Sequence, residues 1–292
     1  MSEKPQRGSI YLESARIVSQ QAYDGDQYVL RVQAADCAAT ARAGQFAHLS
    51  CDPMLAMRRP ISIMRVDARQ GWVDFLFKAV GQGTSLLAQR KPGELLSVLG
   101  PIGKPFTADP DRPRSLLLGG GVGMPPMIFL AEQLKRQTDR QPLVLLGSEV
   151  PFPFSQQPSR ILVPGIPDGV IAAMPLLEDW GVPCRLASLQ GYPGCYDGYI
   201  TELARSWLDS LDDRQRSEVE IFACGPHPML EAVARLARDY ELPCQVSVEE
   251  FMACAVGGCA GCVIEVQTAQ GPAMKRVCVD GPVFDAYSVF AS

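Results

Sequence analysis

Between Ile10 and about Phe106 the apolar residues come in short runs of strand length, separated by glycine, proline and polar turns. The segments SIYLESARIVSQ, QYVLRVQAA, QFAHLSC, RRPISIMRV and WVDFLFKAV alternate or are rich in β-forming residues, and no long helical period lies between them. Strands recurring in this way predict a closed antiparallel β-barrel. After Asp111 the pattern changes. SLLLGG reads as a buried strand, and from Pro126 the apolar residues Met127, Phe129, Leu130 and Leu134 fall at helical spacing. QPLVLLGS is a second continuous apolar strand, GYITELARSWLDSL an amphipathic helix, EVEIFACG a strand and HPMLEAVARLARDYEL a helix. Alternating strand and helix predicts βαβ units and a Rossmann-like parallel sheet. Pro151 to Asp168, rich in proline and polar residues, reads as loop. A short third module begins near Pro243. The expected organisation is multi-domain β plus α/β: an N-terminal barrel over 1–108, an α/β domain over 109–242 and a small C-terminal module over 243–292.

Composition narrows the class. The 292 residues suffice for two domains or more, and 47% hydrophobic with 20% charged residues fits a globular chain. The net charge is -5 and there is no basic run, which argues against a nucleic-acid partner. The N-terminal MSEKPQRGSI holds no apolar core of an export signal. The longest uncharged stretch, Ser115 to Ala131, is broken by four Gly and two Pro, so no membrane span is expected. Cys37, Cys51, Cys184, Cys195, Cys224 and Cys244 show no framework spacing and read as reduced thiols of a cytoplasmic protein. His48 and His227 are the sole histidines, which makes His-rich metal sites and hydrolytic triads poor readings. His227 reads as part of a helix start.

The most specific chemistry lies near the C-terminus. Cys254, Cys259, Cys262 and Cys278 are spaced C-x4-C-x2-C-x15-C. A C-x4-C-x2-C run with a distant fourth cysteine is the plant-type arrangement for a [2Fe–2S] cluster. A short loop aims three thiolates at the cluster, and a hairpin return supplies the fourth. Ala255, Gly257, Gly258, Ala260 and Gly261 let the backbone come close and donate N–H groups to the sulfurs. Structural zinc is the first alternative, but it favours two C-x2-C pairs and one is present here. Buried thiols or disulfides are the second. Met252, Ala255 and Val256 beside the cysteines read equally as a docking rim or as core of the small module.

Two further clusters suit nucleotides. Arg59, Pro60, Ile61 and Ser62 follow a Gly44–Gln45–Phe46 turn. Alone, the tetrapeptide reads as the beginning of a strand with a solvated arginine. Gly81, Gly83 and Thr84, however, open a short helix whose N–H groups can bind a phosphate oxygen, and an arginine beside a strand can pair with a pyrophosphate. Gly119, Gly120, Gly121, Val122 and Gly123 stand between a buried strand and a helix. This is not G-x-G-x-x-G, yet it offers the same parts: a strand end, a turn without side chains and a helix N-terminus. The alternative is a glycine-rich connection that serves packing alone. Cys224, Gly225 and Pro226 close a later strand at the same predicted sheet edge, where Cys224 reads alternatively as a buried filler.

The order of RPIS and GT in a barrel, then GGGVG, then CGP, resembles the ferredoxin–NADP reductase-like flavoproteins. With the cysteine module added, nearly the whole chain resembles the electron-transfer subunits of B-type, NAD-dependent dihydroorotate dehydrogenases. The matching stretches are RRPISI, FLFKAVGQGT, VLGPIGKPF, LLLGGGVGMPP, DGYITEL, FACGPHPML, EEFMACAVGGCAGCVIEV and CVDGPVF. The resemblance implies that Arg59, Pro60, Ile61, Ser62, Leu76, Phe77, Lys78, Gly83 and Thr84 hold FAD. It implies that Gly119–Gly123 and Cys224–Pro226 serve NAD, and that Cys254, Cys259, Cys262 and Cys278 ligate [2Fe–2S]. It implies an FMN-containing catalytic subunit as partner in a heterotetramer of pyrimidine synthesis. Gly147 to Leu177 departs from the family pattern. A related reductase subunit serving a sulfite-reductase or hydrogenase partner, and a zinc-stabilised binding module, are the competing readings.

Overall fold

Six strands occupy the first third of the chain: β1 (Tyr11–Tyr23), β2 (Gln27–Gln33), β3 (Phe46–Leu49), β4 (Arg59–Asp67), β5 (Trp72–Lys78) and β6 (Leu95–Ile102). In this computed structural model, which describes residues 8–291, they pair antiparallel and close in the order β1-β2-β5-β4-β3-β6. The expected barrel is formed. Alternation drives it: along β1 Ala15 and Ile17 are buried while Ser14 and Arg16 are exposed. Leu30, Val32, Ile63, Val73, Phe75, Leu96 and Val98 complete the core. Arg31 stands opposite Asp74 and donates to both carboxylate oxygens at 2.6 and 2.8 Å, with its guanidinium 3.7 Å over the Trp72 ring. This pair pins the register of β2 on β5, where a one-residue slip would reverse every side chain.

A second sheet follows. Its strands are β7 (Arg114–Gly120) and β8 (Gln141–Gly147), then, past the two-residue pair β9 (Gln157–Pro158) and β10 (Ala172–Ala173), β11 (Cys184–Ala187), β12 (Val219–Cys224) and β13 (Cys244–Ser247). The order is β11-β8-β7-β12-β13, all parallel. Near-continuous burial of LLL in β7, LVLL in β8 and IFAC in β12 is what a sheet covered on both faces requires. The helix after β7 runs Met124–Leu134, two residues earlier than the apolar spacing suggests. Pro125 and Pro126 sit in its first turn, where no backbone N–H is needed. The segment between β8 and β11 is mostly irregular, as its proline content predicts, and is held by Phe152 against Phe154 and Tyr192.

The cysteine segment carries the hairpin β14 (Val263–Thr268) and β15 (Gly271–Arg276), and the chain ends its last strand in β16 (Val283–Asp285), which lies next to β13. The chain packs as two compact units: the chain up to Pro105 with Val248–Val283, and Phe106–Ser247 with the chain from Phe284 on. Residues 248–283 therefore join the barrel. Within that unit the Lys104 N–H bonds the Gly281 carbonyl at 2.6 Å, and the Val248 N–H bonds Pro282 at 3.0 Å. No helix among the described residues is long and apolar enough to cross a membrane.

At the start of β12, Glu220 is buried among Ser115, the Asp109 N–H at 3.0 Å and Arg140 at 3.4 Å. Burial pushes its carboxyl up to about 7, against the opposing pull of the Asp109 N–H and Arg140. The folded chain thus keeps a proton that the unfolded chain releases above the ordinary carboxylate range, so stability is full below that range and declines as pH rises through about 7. Glu220→Gln should flatten this slope by on the order of 2 kcal/mol, read from urea unfolding at several pH values.

Candidate functional site

The cysteine loop coils through left-handed positions at Ala255, Gly257 and Ala260 (φ 58°, 82° and 52°). That curl turns its amides towards sulfur. The Gly258 and Cys259 N–H groups donate to Cys254 Sγ at 3.3 and 3.4 Å, and the Gly261 N–H donates to Cys259 Sγ at 3.4 Å. Cys262, which enters β14, lies 3.3 Å from Cys278 Sγ to Sγ, and Cys278 follows β15 in a short helical turn. The hairpin therefore returns the fourth cysteine, as the spacing predicts. Two links join the four: the Cys259 N–H bonds Cys254 Sγ, and Cys262 Sγ meets Cys278 Sγ. Tetrahedral zinc would need four sulfurs on one centre, whereas a two-iron cluster takes two pairs. The donor set fits the latter.

Electrostatics prepare the first pair. Burial alone would raise the Cys254 thiol, but the amides of Val256, Cys259 and Gly258 and the Cys259 thiol outweigh it and bring Cys254 down to about 7. Burial, then the neighbouring Cys262 sulfur, push Cys278 up to about 12. Of the three apolar neighbours, Met252 and Ala255 are buried and fill the module, while Val256 is 48% exposed and Phe251 92% exposed.

In the barrel, Arg59 begins β4 and Gly83 lies in the short helix Gln82–Leu87. A Cβ on Gly83 would sit 2.7 Å from Arg59 Nε and 2.8 Å from its Cζ, so only glycine lets the guanidinium lie against this turn. Thr84 Oγ1 ties the turn by accepting from the Val80 and Gly81 N–H groups at 3.1 and 3.2 Å. Arg59 donates to the carbonyls of Met57 and Arg58 and has no carboxylate partner among the described residues. A cation held against bare backbone is a fitting cradle for a pyrophosphate. Pro60, Ile61 and Ser62 continue β4 against His48, Ala47 and Phe46 of β3. His48 is buried and neutral, since burial and then the Arg58 guanidinium press it down to about 4. Leu76 and Phe77 are buried and Phe77 stacks on Tyr28 at 5.4 Å, so these two residues present chiefly backbone, and Lys78 ends the strand.

In the parallel sheet, register aligns Gly119 with Cys224 and Gly120 with Gly147. The glycine turn and the Cys224 turn thus share one carboxyl edge, where α/β folds bind nucleotides. They touch directly: a Cβ on Gly123 would stand 2.3 Å from the Cys224 carbonyl oxygen and 2.5 Å from the Gly225 nitrogen. Gly120 and Gly225 both lie against Met229 Sδ. Gly121 is left-handed (φ 54°) with open space beside it.

Comparison with known proteins agrees with this geometry. The chain is 36% identical over 254 residues to the electron transfer subunit of dihydroorotate dehydrogenase B (NAD+) of Bacillus caldolyticus, covering 84% of this chain and 86% of the relative. It is 33% identical over 284 residues to that of Geobacillus thermodenitrificans, covering 95% and 98%. The chain belongs to this family. The iron-sulfur cluster binding domain of dihydroorotate dehydrogenase B matches residues 249–290. The structure of NADH-dependent reduced ferredoxin-NADP oxidoreductase shares the fold, with a TM-score of 0.74 at 22% identity over 95% of this chain and 90% of that one. The ferredoxin reductase of carbazole 1,9a-dioxygenase does so with a TM-score of 0.62 at 22% identity, over 80% and 67%.

The structure also brings forward Met229, behind two of the glycines, and Arg276 and Asp280, on either side of Cys278. Met229 lies within FACGPHPML and Asp280 within CVDGPVF, but neither stretch assigns them a role, and Arg276 stands outside both. Gly123→Ala should force the two turns apart. NAD titration by calorimetry should show affinity at least tenfold weaker, and the visible spectrum should stay unchanged. Gly121→Ala has open space but a left-handed backbone, and should cost about 1–2 kcal/mol of stability, read from urea unfolding.

Proposed function

We propose that this member of the electron transfer subunit family works as a cytoplasmic protein in a heterotetramer with an FMN-containing catalytic subunit that oxidises dihydroorotate. When bound, a [2Fe–2S] cluster accepts single electrons, FAD converts between one- and two-electron transfer, and NAD+ takes up a hydride. The Cys259 N–H on Cys254 Sγ and the contact of Cys262 with Cys278, inside the matched domain, carry this reading.

The chain's own residues bind and orient. The four cysteines hold the irons, and the amides of Gly258, Cys259 and Gly261 turn positive dipole ends to the sulfurs. Arg59 neutralises the flavin pyrophosphate against Gly83, with Thr84 closing the turn. Pro60, Ile61, Ser62, Leu76, Phe77 and Lys78 line the flavin along β4 and β5. Gly119 to Gly123 and Cys224 to Pro226 admit the nicotinamide nucleotide to backbone distance. No side chain is required as a general acid, base or nucleophile. Three functional parts, 1–108, 109–242 and 243–292, correspond to flavin, nucleotide and cluster. Exposed Phe251 and Val256 beside the cluster loop support a docking rim for the catalytic subunit.

Protein purified without oxygen should be yellow-brown, with two irons and two acid-labile sulfides per chain and one FAD. Co-expressed with a dihydroorotate-oxidising subunit, it should support NAD+-dependent orotate formation. Colourless protein with zinc and no labile sulfide would refute the reading, and a co-purifying partner that does not bind orotate would transfer it to another acceptor. Val256→Glu should weaken the complex on size-exclusion chromatography with cofactor content unchanged; undiminished assembly would remove the docking rim.

A further inference from the structure

Three of the four cysteines lie on one loop and the fourth on the returning segment, and one side chain ties these two pieces together. Arg276 ends β15 two residues before Cys278, and Asp280 stands two residues after it. The Arg276 N–H donates to Asp280 Oδ2 at 2.8 Å and its Nε approaches the same oxygen at 3.4 Å. Its Nη1 reaches across to the other piece and donates to the Gly257 carbonyl at 2.9 Å. Gly257 lies between Cys254 and Cys259 in the left-handed region at φ 82°. It is confined there: a Cβ would meet Val279 Cγ1 at 3.0 Å and Arg276 Nη1 at 3.4 Å. The Gly257 carbonyl and its α-carbon are thus both held against the segment that carries the fourth cysteine.

We infer that Arg276 and Asp280 form a positioning clamp that sets the spacing between the three loop sulfurs and Cys278 and, as opposite charges beside them, biases the reduction potential of the group they hold. The inference rests on the cysteines holding [2Fe–2S], as proposed above. A planar fork suits the task better than an ammonium, because one guanidinium addresses a carboxylate and a carbonyl at once. Charge adds a directional effect. A cation near the sulfurs favours the state with one more electron, and an anion disfavours it.

The test compares whole protein carrying Arg276→Gln, Arg276→Lys and Asp280→Asn by anaerobic redox titration, electron paramagnetic resonance, and iron and FAD content. FAD content reports whether the barrel has folded. Arg276→Gln should lower the midpoint potential, since Asp280 is left uncompensated, and Asp280→Asn should raise it. Arg276→Lys should keep the potential closer to wild type but lose iron several-fold faster to a chelator, because the fork is gone. Shifts of opposite sign would not arise from loosened structure alone. Wild-type potentials, spectra and iron retention in all three variants would overturn the clamp, as would shifts of the same sign in Arg276→Gln and Asp280→Asn. Wild-type protein without iron would instead refute the cluster reading itself.

Discussion

Backbone must come within contact distance of what it binds, and three places in this chain meet that constraint in the same way. Gly83 lies against the Arg59 guanidinium, Gly123 against the Cys224 carbonyl, and Gly257 against Val279 and Arg276. A methyl group at any of them would collide or be strained. In the proposed reading each serves a site that handles negative charge: a pyrophosphate in the barrel, a second one at the sheet edge, sulfurs in the loop. Amide dipoles act on anions strongly only at about 3 Å, so the absence of a side chain is itself the functional element. This explains how a chain with two histidines performs oxidation–reduction chemistry. It supplies dipoles and positions, and needs no proton-transfer residue.

Much of this was legible because the determining patterns are local. Ligand spacing in Cys254, Cys259 and Cys262 follows from how a short loop can aim thiolates, so sequence distance alone reveals it. Alternation at Ser14 to Ile17 marks a half-buried strand, and the continuous apolar runs of β7, β8 and β12 mark a covered parallel sheet. What stayed hidden was non-local. Arg276 reaches Gly257 across a whole hairpin, and its position two residues before Cys278 does not disclose where the guanidinium goes. The division of the apolar neighbours, with Met252 and Ala255 inside and Phe251 and Val256 outside, depends on packing that no spacing rule reports. The early start of the helix at Met124 turns on the two prolines, which look like breakers but are at ease in a first turn.

The parallel sheet uses its two edges differently. At the carboxyl edge, Gly119, Gly120 and Gly147 let Met127, Met229 and Ile200 pack directly on strand backbone. At the opposite edge, the Glu220 carboxylate gathers Ser115, the Asp109 N–H and Arg140 into a buried polar knot. This polar cluster is thus placed where the strands begin, at the edge opposite the glycine turns. A buried pair of this kind adds little net stability, but removing one partner is costly, so it anchors the connection into the sheet.

The route of the backbone has a further consequence. The polypeptide passes between the two compact units three times, at Pro105–Phe106, Ser247–Val248 and Val283–Phe284, because residues after the cluster segment rejoin the parallel sheet as β16. The iron-binding portion is therefore a cassette spliced into its host at both ends, not an appendage. Grafting it onto another reductase would require two junctions of matched spacing, and clipping the chain at Ser247 would strip the host sheet of its outermost strand along with the cargo.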